Sequence, residues 1–157
     1  MNYKKSIIII VALLIYSIGS FSQKINFAGN WVINKSKTDF GNAPEFVLEK
    51  TIKVEQRNDK MDIARIRLDH QLNELPPMIQ TLAFDGTSFT GPQPTGPDVT
   101  SEMHWQNDQS LIINLKGAST AVETWTLDDG GKTLIINRSV QQSNGMKYSI
   151  KAVFDKQ

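Results

Sequence analysis

Phe27-Ala28-Gly29-Asn30-Trp31-Val32-Ile33-Asn34 is the stretch on which the fold turns. It is a short strand-like run carrying Gly-x-Trp, and the chain after it reads as strand, turn, strand, turn to its end. A tryptophan has about 200 Å² of ring to bury, and here only strands arriving from later in the sequence can cover it. The glycine two residues earlier lets another backbone approach closely. Trp31 is therefore expected to plug one end of a closed antiparallel barrel.

Outward toward the start, residues 1–22 read as a removable leader. Lys4 and Lys5 precede the apolar run Ile7 to Ile15, and Ser20 and Ser22 stand at the −3 and −1 positions of a cleavage site. The run is shorter than the roughly 20 residues a membrane span needs. No second long apolar run follows, so no integral membrane segment is expected after cleavage. The chain has no cysteine, which excludes disulfides and a lipid-modified cysteine at the cleavage point. Export to the periplasm or the outside, without a lipid anchor, is the expectation. Residues 23–157 then form one domain, large enough to bury a core. Losing Lys4 and Lys5 takes the formal charge from +1 to about −1. Without basic clusters, nucleic acid is not an expected partner. No protein partner is legible.

Toward the C-terminus, residues 34–44 form a polar loop ending in glycine and proline. Thr51 to Glu55 alternates, with Ile52 and Val54 on one face. Asp62 to Leu68 alternates too, Ala64, Ile66 and Leu68 opposing Arg65 and Arg67. Pro76-Pro77 breaks the pattern. After residues 79–84, Asp85-Gly86 is a two-residue hairpin signal. Residues 91–97, Gly-Pro-Gln-Pro-Thr-Gly-Pro, must be an irregular surface loop. A weak internal echo follows. Trp105, a polar turn and Leu111-Ile112-Ile113-Asn114 recur as Trp125, a polar turn and Leu134-Ile135-Ile136-Asn137, each unit reading as a hairpin. In the last strand Tyr148, Ile150, Ala152 and Phe154 alternate with Lys147, Ser149 and Lys151. No segment sustains a 3.6-residue period, so at most one short helix is expected. The result is an all-β domain of about eight to ten strands, a barrel or a sandwich.

Residues 29–37, Gly-Asn-Trp-Val-Ile-Asn-Lys-Ser-Lys, resemble the opening of small secreted bacterial lipocalin-like proteins. Residues 125–134 resemble their last hairpin, Val153 to Gln157 their chain end, and Asp85-Gly86 a middle position. The resemblance implies an antiparallel up-and-down barrel of calycin type. It implies little about function, because the fold hosts many roles. It also implies a late basic residue packed across the tryptophan, and Arg138 is the candidate.

Arg138 shares a strand face with Leu134, Ile136 and Val140, so it should point inward, where its five donors need partners. Two readings stand. It closes the barrel by donating to main-chain carbonyls over Trp31, or it is the counter-ion of a ligand carboxylate. Permanent partners favour the structural reading. The aromatic residues, Trp31, Trp105 and Trp125 among them, either line an apolar cavity or fill the core, and filling is the commoner fate. Tyr148 is the best single candidate for a ligand contact, because its hydroxyl is a polar handle on the inward face. Glu102 and His104 are a candidate acid–base or metal pair. Alternation puts them opposite Met103 and Trp105, on the solvated face, and no third metal ligand is visible. Residues 91–96 lack the Lys-Ser/Thr and helix of a phosphate loop. Asp128-Asp129-Gly130-Gly131 lacks a calcium ligand ladder and is read as a turn. No catalytic constellation and no cofactor motif emerges.

The leading expectation is non-catalytic binding of a small hydrophobic or amphipathic ligand inside the barrel. Arg138 and Tyr148 would anchor it, and Trp31, Trp105 and Trp125 would wall it. The alternatives are a packed barrel that acts through its surface, and a hydrolase or isomerase using Glu102 and His104.

Overall fold

The computed structural model describes residues 24–157; the leader read at residues 1–22 lies outside them. Among the described residues ten strands run in chain order: β1 (Gly29–Ile33), β2 (Glu49–Gln56), β3 (Lys60–Arg67), β4 (Met78–Ala83), β5 (Phe89–Gly91), β6 (Val99–Asn107), β7 (Ser110–Lys116), β8 (Ser119–Asp128), β9 (Thr133–Gln142) and β10 (Lys147–Lys156). A single 3₁₀ turn, Glu45–Val47, interrupts the β1–β2 connection. All pairings are antiparallel, in the order β4-β3-β2-β1-β10-β9-β8-β7-β6-β5. Strands consecutive in sequence pair with each other except β4 and β5, and β1 also joins β10 and so wraps the two halves together. The molecule is an all-β, up-and-down, nearly closed barrel.

Closure is incomplete between the two terminal strands of that order. β4 and β5 form no ladder with each other, and β5 spans only three residues. Side chains and one isolated bridge span the seam instead. Gln80 Nε2 on β4 donates to Ser101 Oγ on β6 at 2.5 Å, both residues buried, and Asp85 bridges His104. The hairpin expected at Asp85-Gly86 is therefore a turn into the seam. Asp85 Oδ1 accepts the Thr87 amide at 2.9 Å and Gly86 takes φ +85°, but the flanking strands part. The two echoed units are hairpins as read, with Trp105 facing Leu111 in one and Leu127 facing Leu134 in the other.

Trp31 is fully buried, and its indole Nε1 donates to Phe27 O at 3.0 Å. Phe27 belongs to a segment drawn across the end of the barrel. Ile25 N bonds Asp108 O in the β6–β7 turn, while Gln56 of β2 holds the Ile25 carbonyl and the Phe27 amide. Under this segment the Phe27 ring lies tilted against Trp105 and T-shaped against Trp125, at centroid distances of 6.1 and 6.0 Å, and Phe84 stacks on Trp105 at 5.1 Å. That end is a solid aromatic plug. Gly29 serves a different purpose from close backbone approach. Its φ is +152°, and the space its missing Cβ would take is occupied by the Lys156 stem, 2.6 Å away. Lys156 thereby sets its ammonium 5.1 Å from the Trp31 ring centroid. The basic residue across the tryptophan is thus Lys156 from the chain end, rather than Arg138.

The β1–β2 loop is tied to the last strand. Asn34 Nδ2 donates to Asp155 Oδ2 at 2.6 Å, and Lys37 Nζ reaches Asp155 Oδ1 at 3.2 Å. These two donors hold the Asp155 carboxyl below the usual carboxylate range. Asp39 and Lys151 complete the attachment through a two-way backbone bridge. Among the described residues no helix is long and apolar enough to cross a membrane.

Candidate functional site

The interior is stratified, and strand alternation sets the layers. Down the inward face of β9 lie Val140, Arg138, Ile136 and Leu134; down β8 lie Ala121, Glu123, Trp125 and Leu127. β3 contributes Arg65 above Ile63 and Met61, and β2 contributes Glu49 above Ile52 and Val54. The lowest level is the apolar plug, the middle level is charged, and the upper level is open space.

The charged level holds four side chains, Glu49, Arg65, Glu123 and Arg138, all buried. Arg65 grips Glu123 in a fork, Nη1 to Oε1 at 3.1 Å and Nη2 to Oε2 at 2.9 Å, and also reaches Glu49 at 3.3 Å. Arg138 donates Nε to Glu123 Oε1 at 2.8 Å and Nη2 to both Glu49 oxygens at 2.8 and 2.7 Å. Its Nη1 reaches the Val47 carbonyl at 3.4 Å. Trp125 Nε1 donates to Glu123 Oε2 at 2.8 Å, and the Arg65 guanidinium lies 5.3 Å from the Trp125 ring centroid. The quartet is thereby stitched to the plug below it.

Electrostatically the quartet sums to zero. Burial raises the Glu123 carboxyl, but Arg65 and Arg138 pull harder in the opposite direction and hold it at about 2. Glu49 is likewise lowered against burial, by Arg138 and then Arg65. The two carboxylates in turn outweigh the burial of Arg138 and raise it further above its ordinary value. Glu49, Glu123 and Arg138 are therefore charged at neutral pH. Isolated, any one of them would cost several kcal/mol to bury; together they satisfy each other. Two buried polar atoms nevertheless find no partner among the described residues, Arg65 Nε and Gln80 Oε1.

Above the quartet is a cavity of about 480 Å³. Its floor is Glu49, Arg65, Glu123 and Arg138, and its walls include Met78, Val99, Leu115, Ala121, Val140 and Tyr148. The rim is made of Phe46 and Val47 from the 3₁₀ turn, Asp69 and His70, residues 95–97 and the β7–β8 turn at Gly117 and Ala118. His70, Gly96, Pro97, Gly117 and Ala118 are exposed, so the cavity reaches solvent at the end opposite the plug. Two contacts draw the rim together: the Phe46 and His70 rings lie 4.2 Å apart, and Gln93, bonded to Pro97 O at 2.9 Å, faces Arg67 at 3.5 Å.

Of the residues singled out in the sequence, Arg138 and Tyr148 come together on this cavity. Trp31, Trp105 and Trp125 do not line it; they lie in the plug, Trp125 touching its floor through Glu123 and the Arg65 guanidinium. Arg138 meets carboxylates of its own chain, plus the single Val47 carbonyl, where a ligand or a set of carbonyls was expected. Glu102 and His104 face outward, with Ser88 bonded to Glu102 at 2.6 Å, so no acid–base pair points into the barrel. Among the described residues no group of three or more His, Asp or Glu is placed to hold a metal ion.

Glu49, Arg65 and Glu123 escaped the sequence reading for separate reasons. The alternation that made Arg65 oppose Ala64, Ile66 and Leu68 is correct, but Met61 and Ile63 outweigh those residues and turn the arginine face inward. Glu123 shares a face with Trp125 at i, i+2, which was a usable signal. Glu49 had none. A register shift between Glu49 and Thr51 breaks the alternation, leaving Lys50 and Thr51 both outside the buried set and Glu49 within.

No protein-family model matches this sequence, and no curated protein does. Solved structures do. The Schistosoma mansoni fatty acid binding protein in complex with arachidonic acid superposes with a TM-score of 0.59 at 14% identity, over 83% of this chain and 96% of that one. The zebrafish ileal bile acid-binding protein complexed with cholic acid gives 0.54 at 12%, over 83% and 98%. What is shared is the antiparallel up-and-down barrel. At such identities the likeness extends to the fold alone.

Proposed function

We propose that the barrel binds a small hydrophobic or amphipathic molecule in its upper cavity, without catalysis. The observation that carries this reading is the cavity itself: about 480 Å³ with apolar walls, a polar floor and a mouth at one end. A barrel acting only through its surface has no use for such a space, and pockets of roughly 300–1,000 Å³ are the size that takes small ligands. Both structural neighbours were solved with an amphipathic ligand, arachidonic acid in one and cholic acid in the other, which supports the same reading. Tyr148 and the arginines of the quartet face the polar end of the ligand, and Met78, Val99, Leu115 and Val140 its apolar body. Trp31, Trp105 and Trp125 act indirectly, as the plug that supports the floor. Export, with residues 1–22 removed, and membership of the secreted bacterial lipocalin-like group belong to the same proposal and rest on the sequence motifs.

Ala121 lies on the wall immediately above Glu123, one inward position nearer the mouth. An Ala121→Trp barrel should keep its fold and lose at least tenfold in affinity for dodecanol, measured by calorimetric titration. Unchanged affinity in the substituted protein would place binding elsewhere.

A further inference from the structure

We infer that the cavity selects ligands whose polar end is uncharged and accepts hydrogen bonds, such as alcohols, amides or esters, over free carboxylates and amines. This rests on the lumen-binding reading and specifies its ligand class.

The inference follows from how the floor spends its charges. An anionic ligand needs an arginine with donors to spare, but Arg65 and Arg138 already hold Glu49 and Glu123 through contacts of 2.7 to 3.3 Å. A ligand carboxylate would add a third negative charge to two cations, and must either displace Glu49 or remain unpaired in a desolvated site. An ammonium meets the converse problem, because each carboxylate is already engaged by two guanidiniums. The rim does not tip the balance, since Arg67 and Asp69 contribute one charge of each sign. What the cavity leaves open is a donor on its wall: the Tyr148 hydroxyl can donate as well as accept. A neutral acceptor oxygen satisfies such a donor without adding a charge to the balanced floor. The unpartnered Arg65 Nε–H is itself too deeply buried to meet a ligand.

The test is a head-group series on one alkyl chain, with protein expressed from the full sequence. Dodecanol, dodecanamide, dodecanoate and dodecylammonium are titrated calorimetrically at pH 7. Dodecanol and dodecanamide should each bind at least tenfold more tightly than either ion, a difference of about 1.4 kcal/mol. Dodecanoate binding as tightly as dodecanol would overturn the selectivity while leaving lumen binding intact. If none of the four binds, the lumen-binding reading itself fails. A second arm uses Glu49→Gln, which leaves the floor one positive charge in excess. Its affinity for dodecanoate should rise at least tenfold relative to its affinity for dodecanol. A folded Glu49→Gln protein, by far-UV circular dichroism, with no gain for dodecanoate contradicts the charge-balance explanation. Should that variant not fold, the head-group series on the unsubstituted protein decides alone.

Discussion

Glu123 is the residue on which the interior depends most. It is fully buried, accepts from both arginines and from Trp125, and separates the cavity from the plug. Replacing it with alanine leaves two buried guanidiniums sharing one carboxylate, and a broken buried pair of this kind costs about 3–5 kcal/mol. Urea denaturation of Glu123→Ala should show a loss of that size, with the slope of the transition little changed. Its titration also makes stability depend on pH. The folded value near 2 lies below the unfolded value of 4.5, so below pH 4.5 the unfolded chain binds the extra proton. The contribution is present in full above pH 4.5 and is lost as pH falls toward 2. On the order of 3 kcal/mol should disappear across that window, and Glu49, lowered in the same direction, adds to the slope. In Glu123→Gln the same denaturation series should show a markedly flatter acid limb. An equal limb would mean that other carboxylates govern acid unfolding.

At the scale of elements, the seam between β4 and β5 is the weak line of the barrel. Gln80 and Ser101 cross it with one hydrogen bond, while Gln80 Oε1 finds no partner among the described residues. Ser101→Ala strands the rest of the buried amide and should cost about 1–3 kcal/mol. Combining Ser101→Ala with Gln80→Met removes both polar partners at nearly constant volume, and should restore stability to within about 1 kcal/mol of the starting protein. Additive losses in the double variant would show that the pair does not act as a unit. The seam also marks a limit of sequence reading. Asp85-Gly86 has the local chemistry of a hairpin, and its turn forms, yet whether the strands on either side pair is decided by barrel closure far away. The hairpins at Asn107 and at Asp128 to Gly131 were legible because long alternating strands on both sides agreed with the turn. The phase of β10 was legible for the same reason, whereas the phase at the start of β2 was hidden by its register shift. Candidate site residues followed suit. Arg138 and Tyr148 lie on regular strands and were found, but the partners of Arg138 come from elements 15 and 89 residues away in sequence.

For the whole molecule, the division into plug, charged floor and open cavity explains why one barrel end is solid and the other hollow. The tryptophans that announce the fold belong to the solid end, so the residues most visible in the sequence are not those facing the cavity. The central claim is that the hollow end holds a hydrophobic guest. Native mass spectrometry of the protein, expressed from its full sequence and kept out of detergent, tests it most directly, before and after incubation with dodecanol. The expected result is a discrete adduct, present on purification or acquired with dodecanol at one molecule per chain, that vanishes on denaturation. A bare protein mass under both conditions would contradict lumen binding and leave the cavity without the role assigned to it.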